Sequence, residues 1–201
     1  MNQKLIFFIL GLLVGIISTQ LINATNVLKF GSSVQDYKAQ NYSDAIDSHF
    51  IEQMIPHHED AITMAKLAQT NAKKTEVKEL AKSIIDSQGN EINQMQDWYR
   101  DWFGKEVSKD SKVMRGHGMQ QSNNMHMGMM GDESDLTSLE QAEDFDRAFV
   151  EEMIPHHQMA IMMASMLKVN TQRPEMIKLA DDIIVAQTEE IELMRTWLRE
   201  W

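Results

Sequence analysis

A thioether and two imidazoles fall within one helical turn in the pentapeptide Met54-Ile55-Pro56-His57-His58. The same five residues return as Met153-Ile154-Pro155-His156-His157. Methionine sulfur and neutral imidazole share an affinity for soft and borderline metal ions. A third group of such side chains lies between the two copies, in MRGHGMQQSNNMHMGMMGDESD: Met114, His117, Met119, Met125, His126, Met127, Met129 and Met130. Core filling is the ordinary use of methionine, but this stretch has almost no other large apolar residue to make a core with. Its thioethers are suited instead to gather around Cu(I) or Ag(I), and a loose backbone lets them do so with little strain.

The pentapeptides belong to a longer repeat. From Asp47 to Trp102 and from Asp146 to Trp201 the sequence aligns with itself without a gap at an offset of 99 residues, and about 25 of the 56 positions are identical. Identities beyond the pentapeptide include Phe50/Phe149, Met64/Met163, Gln88/Gln187, Glu91/Glu190, Met95/Met194 and Trp98/Trp197. Repetition of this density indicates internal duplication.

Each repeat reads as a helical hairpin. Ile46, Phe50, Ile51, Met54, Ile55, Ile62 and Leu67 recur at helical spacing up to about Asn71, with Ser43 and Asp44 as candidate N-caps and Pro56 as an expected kink. A second helix carries Val77, Leu80, Ile84, Ile85, Ile92, Met95 and Trp98, with Gly104 as its stop. The second repeat has the same pattern, and Pro174 stands where a helix can begin without loss. The expected fold is therefore all-α: a four-helix, ferritin-like bundle of two duplicated hairpins, 44–103 and 143–201, packed on each other. Residues 104–142 read as a Met/His-rich flexible linker with no helical or strand period.

On one helical face Met54, His57 and Met64 can project together, as can Met153, His156 and Met163. His58 and His157 lie one step round, and the prolines leave open which imidazole of each pair points inward.

The N-terminus and composition set the context. Leu5 to Ile17 is an apolar run behind Lys4, so residues 1–24 read as a secretory signal peptide or an uncleaved membrane anchor helix, followed by a polar tether over 25–43. Either reading makes the protein periplasmic or secreted. Cysteine is absent, which excludes disulfides and thiolate sites, while thioethers stay metal-competent in an oxidising compartment. The net charge of −11 and the lack of a basic stripe argue against a nucleic-acid partner.

The paired Met-Ile-Pro-His-His repeats with their downstream Gln and Glu resemble the ferritin-like domain-of-unknown-function family 305. The resemblance covers roughly residues 44–103 and 143–201. It implies a four-helix fold and binding of copper, with silver as a mimic, and by motif position it carries over to Met54, His57, His58, Met64, Met153, His156, His157 and Met163. The family has no common established activity, so the linker methionines are what turn the reading toward copper.

The expected function is non-enzymatic: sequestering or carrying Cu(I), with Cu(II) at the histidines, in copper resistance. The expected partners are copper ions and a periplasmic or membrane copper sensor or transporter. One alternative is a ferritin-like di-iron or di-manganese oxidase. Against it, neither Glu91 nor Glu190 is followed by His three residues on, as that chemistry requires. The other alternative is a metal-free interaction bundle.

Overall fold

A computed structural model describes residues 41–108 and 133–201, all of them in helices or short connections. Helix α1 covers 41–71, α2 Thr75–Phe103, α3 Glu133–Glu140, α4 Phe145–Asn170 and α5 Pro174–Glu200. The expected signal or anchor segment and the linker residues Met114, His117, Met119, Met125, His126, Met127, Met129 and Met130 lie outside the described residues. Among the described residues no helix is long and apolar enough to cross a membrane.

The helix boundaries follow local chemistry. Gly104 adopts φ 67 and closes α2 through its N–H to the Arg100 carbonyl, a left-handed cap that costs glycine nothing. Asp144 caps α4 by accepting from the Arg147 N–H at 3.3 Å. Pro174 occupies the first turn of α5. Helices α1 and α4 continue across Pro56 and Pro155.

Two features differ from the sequence expectation. Ser43 and Asp44 lie inside α1 rather than capping it, because helix already exists at residue 41. Part of the supposed linker is helical: α3 forms, and its Leu139 is buried against the core, 3% exposed. A two-turn helix held by so few apolar side chains leaves no period to detect.

The core is two apolar clusters, and each draws on both repeats. One joins Ala61, Ala65, Ala68, Val77, Leu80 and Ile84 of the first repeat to Phe149, Val150, Met153, Ile191, Met194 and Trp197 of the second. The other joins Phe50, Ile51, Met54, Ile92, Met95 and Tyr99 to Ala160, Ala164, Leu167, Met176, Leu179 and Ile183. The N-terminal half of α1 thus shares a cluster with the C-terminal half of α4, and the reverse holds at the other end. The hairpins are related by a pseudo-two-fold axis, and neither has a core of its own.

Reciprocal ties between repeats reinforce this packing. Asp146, at the start of α4, accepts from the backbone N–H groups of Lys73 and Lys74 in the first repeat's turn, at 3.0–3.1 Å. Its counterpart Asp47 is paired at 3.1 Å with Arg173 in the second repeat's turn. Arg173 also lies over Trp102, 4.2 Å from the ring centroid, and the equivalent Lys74 lies over Trp201 at 4.5 Å.

Asp146→Ala takes the acceptor from two half-buried N–H donors and should lower unfolding free energy by about 1 kcal/mol. Asp146→Asn should lose less. Urea midpoints of the three proteins check this, and equal midpoints would show that the turn does not depend on the carboxylate.

Candidate metal centre at the bundle waist

Both apolar clusters stop short of the middle of the bundle. On α1, His57 and His58 separate Met54 and Ile55 of one cluster from Ala61 of the other. On α2, Gln88 and Glu91 fall between Ile84 and Ile92. On α4 and α5 the interval is filled by His156 and His157, and by Gln187 and Glu190. The four helices therefore present their polar residues at one level, a waist between two greasy ends.

Helical phase decides which imidazole goes where. His58 and His157 are fully buried, and Met54 and Met153, one turn before them on the same face, are too. His58 Nε2 lies 2.6 Å from Glu91 Oε2, and His157 Nε2 lies 2.6 Å from Glu190 Oε2. The carboxylates keep 19% and 17% of their side-chain surface exposed. His57 and His156 turn toward each other instead, with ring centroids 3.8 Å apart and planes inclined by 37°. They are equivalent residues, so this contact marks the pseudo-two-fold axis itself.

The waist is short of hydrogen bonds. Nδ1 of His57, His58 and His157, both ring nitrogens of His156, and Oε1 of Gln88 and Gln187 are buried without a partner. Buried polar atoms rarely stay unpaired without a functional or ionic reason. A carboxylate only accepts hydrogen bonds, so the Glu-facing Nε2 of His58 and His157 is an N–H, and in a neutral ring Nδ1 then carries the lone pair. With neutral rings, the unpaired atoms of His58, His157, Gln88 and Gln187 are all acceptors.

Burial and the neighbouring imidazoles hold His57 down to about 3 and His156 down to about 2. Both rings therefore stay neutral and able to donate a lone pair. Asp60 behaves oppositely: burial, with the nearby Glu59, raises its carboxyl to about 6.

The methionines divide between the two ends. Met54 packs with Ile51, Met95 and Tyr99, and Met153 with Phe149, Val150 and Met194. Met64 and Met163 are partly buried and pack against the cluster at the opposite end from Met54 and Met153 respectively. A shared helical face does not bring Met54 and Met64 together, because ten residues advance the helix by about 15 Å. Among the described residues no three His, Asp or Glu side chains already enclose one point, so an ion at the waist must draw on thioether or amide as well, or move a ring.

Several residues were outside the sequence-based site. Glu91 and Glu190 engage the buried imidazoles, and Gln88 and Gln187 add unpaired carbonyl oxygens. A signal was present: each Glu follows its histidine by 33 residues in both repeats. On α4, Met162 and Met166 are exposed, by 50% and 62%, where the first repeat has Thr63 and Leu67.

A family model, "Domain of unknown function (DUF305)", matches residues 47–198. The chain belongs to this family. Among solved structures it is similar to CopM in the Cu(II)-bound form (49% identity, TM-score 0.66), covering 77% of this chain and 97% of that one. CopM in the Cu(I)-bound form gives 44% identity and TM-score 0.63, with 77% and 96% covered. A DUF305 fragment from Deinococcus radiodurans gives 28% identity and TM-score 0.62, with 78% and 97% covered. The chain is also 41% identical over 81 residues to the uncharacterized protein L153 of Acanthamoeba polyphaga mimivirus, a match that covers 40% of this chain and about half, 51%, of that protein.

The neutral imidazoles set a pH dependence. An unfolded histidine takes up a proton near pH 6.5, whereas folded His57 and His156 do so only near 3 and 2. The unfolded state therefore binds more protons between these values, and stability falls as pH falls through that window, by up to about 1.4 kcal/mol per pH unit per ring. Asp60 opposes part of this between about 6 and 3.8. In a His57→Gln/His156→Gln protein the acid slope should be shallower than in the parent, as read by urea unfolding from pH 7 to pH 4. A gap between the two that does not change with pH would mean the fold does not hold these rings deprotonated.

Proposed function

We propose that this protein binds copper outside the cytoplasm and sequesters or carries it without transforming a substrate. Cu(I) is held through thioethers and imidazoles, Cu(II) through imidazoles, and Ag(I) is accepted in place of Cu(I). The reading rests chiefly on one observation: neutral imidazoles with unpaired buried nitrogens, next to buried methionines, at the waist where the two repeats meet. Such a donor set suits soft and borderline ions. It is supported by similarity to CopM, which has been solved in Cu(I)-, Cu(II)- and Ag-bound forms.

The helical ligands in this reading are Met54, His57, His58 and Met64, with Met153, His156, His157 and Met163. The segment between the hairpins adds Met114, His117, Met119, Met125, His126, Met127, Met129 and Met130 as a capture sequence. Export is supported by the apolar run from Leu5 to Ile17 and by the choice of thioether over thiol, since cysteines would be lost to oxidation. A periplasmic or membrane copper sensor or transporter is the partner that would give or receive the ion.

The test is titration with Cu(I) against a competing chelator. Changing Met114, Met119, Met125, Met127, Met129 and Met130 to leucine should lower the number of Cu(I) bound and leave helix content unchanged. His58→Ala together with His157→Ala should remove a further, separate fraction. Failure of the parent to compete for Cu(I) at all would refute the reading, and unchanged stoichiometry in the methionine variant would remove the capture sequence from it.

A further inference from the structure

We infer that Glu91 and Glu190 are positioning residues. Each holds the proton of its histidine on Nε2, so that Nδ1 of His58 and of His157 is the atom offered to the ion. The inference rests on the copper-binding reading and deepens it, by assigning the donor atom and the residue that selects it.

The geometry is the same in both repeats. Nε2 of a fully buried imidazole lies 2.6 Å from a carboxylate oxygen carried by the partner helix of its own hairpin. Neutral imidazole has one N–H and one lone pair, and the bond made by one nitrogen dictates the state of the other. The carboxylate takes the N–H. Nδ1 is then a bare acceptor, and in both rings it is buried and unpartnered. The contact also fixes the ring plane and makes the remaining nitrogen a better donor, as an outer carboxylate does for metal-bound histidine generally. Among the described residues no carboxylate bonds His57 or His156, and the two rings lie against each other instead. The waist therefore holds two kinds of imidazole: a pair anchored by carboxylates, and a pair packed on each other at the axis.

Ring-nitrogen NMR of the full chain labelled with ¹⁵N, with and without Ag(I), tests this. Without metal, His58 and His157 should both be Nε2–H tautomers. Ag(I) should then shift Nδ1 and leave Nε2 protonated. Glu91→Ala with Glu190→Ala should let the tautomers mix and weaken Ag(I) binding about 10–100-fold. Glu91→Gln with Glu190→Gln, which keeps size and an acceptor oxygen, should recover part of both effects. If alanine destabilises the bundle, the glutamine pair and the parent spectra still decide.

An Nδ1–H tautomer in the metal-free parent overturns the inference, as does an Ag(I) shift at Nε2. Ag(I) bound with neither nitrogen of these rings affected overturns it too, while leaving coinage-metal binding in place. No uptake of Ag(I) at all defeats the proposed function and this inference together.

Discussion

Neither hairpin can bury its apolar face alone, and the rest of the structure depends on this constraint. Each apolar cluster takes one half of its side chains from each repeat. The repeats must therefore meet head to tail, about an axis passing midway between the clusters. Whatever residue occupies that midpoint meets its own copy. Here it is a histidine, and His57 faces His156 at 3.8 Å. The central chemistry of the bundle thus follows from its packing symmetry and from where the duplicated pentapeptide sits on the first helix.

Polar groups at such a place are expensive. Water is excluded by the methionine, isoleucine and aromatic side chains above and below, so each unpaired nitrogen lacks the solvent bond it would have when unfolded. The structure offsets part of this by pairing His58 with Glu91 and His157 with Glu190, whose carboxylates stay partly wet. It also keeps the axial imidazoles neutral. What is left over is a set of buried ring nitrogens and amide oxygens without partners, among them an N–H as well as lone pairs. The waist costs stability, and the apolar ends offset that cost.

Much of this was legible in the residues. The gapless repeat, the helical spacing of Val77, Leu80, Ile84, Ile92 and Met95, the stop at Gly104 and the start at Pro174 are local properties, and local properties show in a linear sequence. The choice between His57 and His58 did not show, because one residue turns a helix by about 100° and the answer depends on where the partner helices lie. The part played by Glu91 and Glu190 needed the register between two helices, a tertiary fact that composition does not carry. The same is true of Met64, which shares a face with Met54 but packs against the other cluster, and of α3, which buries Leu139 in the core.

The crossed ties at the turns have a consequence of their own. Asp146 closes the other repeat's turn, Asp47 grips the other repeat's arginine, and each terminal tryptophan lies under a cation from the opposite hairpin. Each of these contacts runs from one repeat to the other, as contacts across a two-fold dimer interface do. The fold is arranged like a two-fold dimer whose halves are carried on one chain. The halves are not the same throughout: the first has Thr63 and Leu67 where the second has Met162 and Met166 on its outer surface. Two identical chains could differ at no such position; two halves of one chain can, so one face of the bundle can carry a chemistry that the other lacks.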